Sequence, residues 1–346
     1  MKSIYDIKEY VEEIESFSKS VDLSFLDGKT VLIAGASGLV MSYLIDTILS
    51  NPKQKTHIIA NVYSENDFNR FPRVDNRLSF VVGDVTKPET FKDISKRIDY
   101  VINGASIVDP KGYKERPIDT MVINFYGTKN LLDVASKNNA TFLLTSSCEI
   151  YGQSDDELIK ENYFGKINTT DVRSCYNESK RACETLCVCY SQEKGIKTLI
   201  ARLSRTFGPT QSIYDTKALS QFMKNAILNE DIVLKSEGNQ LFSYTYVQDI
   251  VRGLLVILQK GESMNAYNVC NREALKLKEV AEICASYNNK KVIFDLTDDG
   301  YKTSGYSKAS FARQDPSKLE SLGYQSHIAL KNGIFNTITI LKKLYF

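Results

Sequence analysis

Apolar, β-branched runs separated by amphipathic stretches set the rhythm of the chain. The runs are "TVLIAG" (30–35), "HIIANV" (57–62), "LSFVVGD" (78–84), "YVINGA" (100–105), "TFLLTSS" (141–147) and "TLIARLS" (198–204). Each is short enough for a strand, and most are followed by a segment whose apolar residues recur at helical spacing. Strands alternating with helices predict right-handed βαβ units and a Rossmann-type, doubly wound parallel sheet covered on both faces, an α/β fold. Residues 28–204 form the expected dinucleotide-binding domain, with 242–272 returning to it. Beyond 205 the alternation loosens, so 205–241 and 273–346 read as a smaller C-terminal substrate-binding lobe. Residues 1–27 read as an N-terminal helical extension, because "YDIKEYVEEIESF" keeps apolar residues on one helical face.

The chain has 346 residues, 42% of them hydrophobic, as expected for an ordinary folded protein. Lys plus Arg total 44 against 42 for Asp plus Glu, so no basic footprint points to nucleic acid or an anionic membrane. No apolar run reaches the roughly 18 residues a membrane span needs, and the start lacks a secretory pattern. Small-molecule ligands and a cytoplasmic location are the expectation. Cysteines 148, 175, 183, 187, 189, 270 and 284 are scattered, which suits reduced thiols. Cys183, Cys187 and Cys189 lie close together, but the chain has only His57 and His327 and no second CxxC pair, so buried thiols are expected and no metal site.

Candidate chemistry clusters at the ends of the runs. After the first, "GASGLVMS" (35–42) puts Gly35, Ser37, Gly38 and Leu39 where a strand turns into a helix, leaving N–H groups and the helix dipole for a pyrophosphate. Met41 stands where a third glycine is usual. After the second run an acid would hold the adenosine ribose of NAD; Asn61 is there instead. Arg70 beyond it could neutralise the 2′-phosphate of NADP, so NAD is expected with NADP open. "GDV" (83–85) offers Asp84 and Val85 to the adenine, and "NGAS" (103–106) offers Gly104 and Ala105 for close approach of the cofactor. In "SCYNESKR" (174–181), Tyr176 and Lys180 are four apart and share a helix face, so an ammonium can favour the phenolate and turn Tyr176 into a proton acceptor. Asp249 is expected to cap the helix "IVRGLLVIL".

The chain resembles the extended short-chain dehydrogenase/reductases, in particular their nucleotide-sugar epimerase, dehydratase and decarboxylase branch. The resemblance spans residues 28 to about 340 and rests on "GASGLVMS", "GDV", "NFYGTKNLL" (124–132), "SSCEIYG" (146–152), "YNESK", "RTFGP" (205–209), "YTYVQDIV" (244–251), "AYNVCN" (266–271) and "DPSKLESLGY" (315–324). It implies that Ser147 holds the substrate hydroxyl, Tyr176 removes its proton, and Lys180 binds the nicotinamide ribose and lowers the phenol pKa. It adds Asn124 as a cofactor contact. Within the branch, 4,6-dehydratases resemble Thr-Asp-Glu where this chain has Ser147, Cys148 and Glu149; UDP-glucuronate decarboxylases look more similar, with Thr-Ser-Glu and "SCYxxxKR". Decarboxylase-like chemistry on a nucleotide-sugar, after oxidation at the C4 carbon, is therefore favoured, with C4 epimerase or 4,6-dehydratase as alternatives. A cofactor-sensing or scaffold protein is the alternative from another class. Two residues depart from the family: Arg205 replaces a usual Asn, and Phe242 a usual Arg. Both, with Arg313 and Cys148, are candidate substrate contacts. The helices at 117–137 and 176–195 carry broad apolar faces, and relatives pair such helices, which implies a homodimer.

Overall fold

A computed structural model describes residues 2–71, 75–154, 158–296 and 311–346. The chain enters through α1 (Lys8–Ser20), which buries Tyr10, Ile14 and Phe17, one face of a helix. There follow β1 (Thr30–Ala34), α2 (Leu39–Leu49), β2 (His57–Val62), β3 (Leu78–Val82), β4 (Tyr100–Asn103), α3 (Pro110–Glu115), α4 (Pro117–Asn138), β5 (Thr141–Ser147), α5 (Ser174–Lys194) and β6 (Thr198–Leu203). Then come β7 (Arg205–Phe207), α6 (Ala218–Ile227), β8 (Ile232–Leu234), β9 (Leu241–Tyr246), α7 (Val247–Lys260) and β10 (Asn265–Val269). The chain ends with β11 (Ala274–Lys276), α8 (Leu277–Ser286), β12 (Val292–Phe294), β13 (Phe311–Ala312), α9 (Ser317–Glu320) and α10 (Leu330–Tyr345).

The main sheet is seven-stranded in the order β10-β6-β5-β4-β1-β2-β3, and every pairing in it is parallel. Both faces are covered, and the period-2 pleat divides the core. Val31 and Ile33 pack toward α2 and α7, whereas Leu32 and Ala34 pack toward Leu131, Leu132, Cys183 and Cys187 of α4 and α5. The strand order reverses beside β1, whose neighbours are β2 and β4, so the carboxyl ends of β1 and β4 open a crevice at the switch point.

A second, four-stranded sheet joins β7, β9, β11 and β13, and β8 pairs with β12. Here the structure differs from the expected boundary at 242. β9 belongs to this small sheet, and the chain returns to the large one only with α7 and β10. Short strands of alternating pattern look alike in sequence; the hydrogen-bonded partner decides which sheet takes them.

Candidate active site

Gly35 closes the turn after β1 with φ +68°, and a Cβ there would lie 2.7 Å from the backbone of Gly104 and Ala105. Gly38 starts α2 without a side-chain cap, so first-turn N–H groups stay free. Gly35, Ser37, Gly38, Leu39, Gly104 and Ala105 all line one cavity of about 1450 Å³. The free N–H groups and the bare glycine edge fit a pyrophosphate-bearing dinucleotide. The Met41 side chain fills the space where a Cβ of Gly104 would be. The missing third glycine is matched by one on the neighbouring strand's loop.

The same cavity is lined by Ser147, Cys148, Glu149, Tyr176 and Lys180. β5 carries Ser147 at its carboxyl end, and the first turns of α5 bring Tyr176 to the same cavity wall. Tyr176 stacks on Tyr113 at 4.8 Å between ring centroids. Lys180 Nζ donates to the Thr145 carbonyl at 2.9 Å and lies 5.9 Å from the centre of the Tyr176 ring. Burial pushes the Tyr176 phenol well above its usual value, although the neighbouring Ser147 hydroxyl pulls the other way. Desolvation also lowers the pKa of the buried Lys180.

Glu149 is set between two guanidiniums. Arg173 donates to Oε2 at 2.9 Å and Arg205 to Oε1 at 3.2 Å. Arg173 also donates to Asn177, whose amide donates to the Glu149 carbonyl at 2.6 Å, so carboxylate and helix start are locked together. Arg205 lies over the Phe242 ring at 3.7 Å. Cys148 is buried, and burial pushes its thiol up to about 12.

Other expected contacts do not line this cavity. Asn61 turns its Nδ2 to the carbonyls of Val81 and Gly83, stitching β2 to the end of β3. Asp84 accepts from the Thr86 N–H within its own turn, and Val85 is buried against the α4 side of the sheet. Asn124 spans Ser106 and Ser179, bracing α4 against α5. Arg313 offers its carbonyl to Ile159. Arg70 is unavailable for a 2′-phosphate because it pairs with Asp46 at 2.8 Å beneath α1. Asp249 does not cap its own helix; its carboxylate accepts the N–H groups of His327 and Ile328. Sequence reading missed Arg173 and Tyr113. Arg173 had a signal, lying three residues before Tyr176 at the start of α5; Tyr113 had none.

A glycine turn at the switch point, with serine, tyrosine and lysine beside it, defines a short-chain dehydrogenase/reductase, an NAD-dependent enzyme of the extended type. The chain belongs to the NAD dependent epimerase/dehydratase family, whose model matches residues 31–270. It is 29% identical over 305 residues to UDP-glucuronic acid decarboxylase 5 of Arabidopsis thaliana, covering 88% of this chain and 86% of that protein. It is 30% identical over 306 residues to UDP-glucuronic acid decarboxylase 1 of the same plant, covering 88% and 68%. Among solved structures, an epimerase of Methanothermobacter thermautotrophicus superposes with a TM-score of 0.79 at 21% identity, covering 95% of each chain.

Proposed function

We propose that this enzyme decarboxylates a nucleoside-diphosphate hexuronic acid after oxidising its C4 hydroxyl. The observation that carries the reading is the charge at the end of β5: one carboxylate, Glu149, between two guanidiniums, Arg173 and Arg205, with a thiol of raised pKa at position 148. Dehydration needs an acid to protonate a departing hydroxyl, and a thiol that holds its proton to about 12 is a poor one. Among the described residues two guanidiniums meet one carboxylate in this partly desolvated pocket, which attracts an anion, and a sugar carboxylate supplies one.

Ser147 orients the C4 hydroxyl and Tyr176 takes its proton as the hydride leaves. Gly35, Ser37, Gly38 and Leu39 hold the dinucleotide's pyrophosphate, and Lys180 its ribose. Bound NAD supplies the hydride acceptor, and returning the hydride at the end restores the cofactor. With a ketone at C4 the sugar is a β-keto acid; the bond to the carboxylate carbon breaks, its electron pair moves toward the C4 oxygen, and carbon dioxide leaves. Tyr176 and Ser147 would bond the resulting enolate oxygen; C5 takes a proton from water to restore the ketone, and as the hydride returns to C4 Tyr176 gives its proton back to the C4 oxygen.

We assign the enzyme to the cytoplasm and to a homodimer. Among the described residues no helix is long and apolar enough to cross a membrane. On α4, Ile118, Met121 and Phe125 are exposed at helical spacing, and Val188 is exposed on α5, which packs beside it. A second copy would cover that face. The deciding experiment incubates the purified enzyme and NAD with a panel of nucleotide hexuronates and hexoses and follows products by mass spectrometry. Loss of carbon dioxide from a hexuronate, abolished by Tyr176→Phe, is the expected result. Conversion without loss of mass, or conversion of neutral hexoses only, would replace this reading with epimerisation.

A further inference from the structure

The two departures from the family pattern, Arg205 and Phe242, meet in space. β7 and β9 run parallel with Arg205 opposite Tyr244, and Phe242 lies two residues along on the same face of the pleat. The Arg205 guanidinium reaches along that face and stacks on the Phe242 ring. The cation usual on one strand is thus delivered from the adjacent one to the same spot.

We infer that Arg205, seated on Phe242, is the specificity-determining residue that pairs with the carboxylate of the sugar; the inference rests on the hexuronate reading above. The two guanidiniums around Glu149 are unequal. Arg173 is held closer, at 2.9 against 3.2 Å, is tied to Asn177, and is less exposed, 13% against 29% for the Arg205 side chain. Among the described residues Arg173 is therefore the tighter partner of Glu149, and Arg205 is the more exposed of the two cavity-lining cations. The Arg205 Nε is buried with no hydrogen-bond partner among the described residues. One terminal nitrogen donates to Glu149, and stacking on Phe242 holds the guanidinium through its face and consumes no N–H group, so the remaining N–H groups are left for a carboxylate. Phe242 and Arg205 both line the cavity that contains Ser147 and Tyr176.

The substrate's diphosphate has the same anionic chemistry, and binding separates the two. In a Tyr176→Phe background loaded with NAD, calorimetry measures UDP-glucuronate, UDP-glucose and UDP. UDP-glucuronate is expected to bind more tightly than UDP-glucose. Arg205→Asn should weaken UDP-glucuronate about ten- to hundredfold, the cost of a charged hydrogen-bonded pair, and leave the other two within about twofold. Adding Phe242→Arg to Arg205→Asn should restore the preference. Arg205→Lys, which keeps the charge and loses the planar fork, should give a loss between these and serves if the asparagine variant folds poorly. Equal weakening of all three ligands would assign Arg205 to the diphosphate and overturn the inference. So would an absence of hexuronate preference in the parent, or a double variant no better than the single one. Because binding is read without turnover, an enzyme that releases no carbon dioxide yet shows this Arg205-dependent preference would refute the decarboxylase reading alone.

Discussion

Of the places where a carboxylate meets arginine away from solvent, two do opposite work. Under α1, Asp46 accepts from Tyr5 and Tyr10, each at 2.5 Å, and pairs with Arg70 at 2.8 Å. Nearby, Glu13 of α1 accepts from Tyr43 and Tyr246 at 2.6 to 2.9 Å and from Asn336, fastening the N-terminal helix to α2, β9 and α10. At the end of β5, Glu149 faces two arginines. In both places a guanidinium Nε lacks a partner among the described residues, so burial and incomplete hydrogen bonding do not tell the sites apart. Charge balance and open space do. Asp46 and Arg70 pair one to one in packed surroundings; among the described residues Glu149 meets two guanidiniums, beside a cavity of about 1450 Å³. A balanced pair is spent on holding elements together, whereas an unbalanced one at a cavity has a ligand still to meet.

The sharpest test of this contrast removes one group from each place. Tyr176→Phe should lower turnover by about 10²–10⁴-fold, the usual worth of a positioned proton acceptor, with an unchanged melting temperature; product formation and calorimetry read the two sides. Arg70→Ala should do the reverse. Stranding Asp46 should cost about 3–5 kcal/mol of stability in urea unfolding, while activity per folded molecule stays near that of the parent. If Arg173→Ala, measured alongside, destabilised the protein as much as Arg70→Ala and left turnover intact, the distinction would fail.

A smaller loss is expected at Asn61. Asn61→Asp restores the acid usual for the family, yet it replaces a donor by a carboxylate facing the carbonyls of Val81 and Gly83. It should cost about 1–3 kcal/mol of stability and bring no gain in NAD affinity measured by calorimetry. The gentlest test is Glu13→Gln. Desolvation raises the Glu13 pKa, so the stability this carboxyl contributes is complete below its unfolded value and is lost as the pH rises through the folded one. The stability of the glutamine variant relative to the parent should therefore increase from acid toward neutral pH. A constant difference in urea midpoints over that range would contradict the burial cause.

Several features were fixed by residue order alone. Six strands and the helices between them, the glycine turn at 35–38, and the Tyr176–Lys180 pair follow from local periodicity and spacing, because a pleat repeats every two residues and a helix brings positions four apart onto one face. The family resemblance then supplied Ser147 and the order of chemical steps. Tertiary structure decided what the charged side chains do. Arg70 and Asn61 looked like cofactor contacts, but α1 and the β3 edge engage them first. Arg205 and Phe242 are 37 positions apart and read as two departures from the family pattern; the pairing of β7 with β9 brings them into contact. A charge acts over distance and through its surroundings, and those are set by which strands become neighbours, so its role could be read only after the chain had folded.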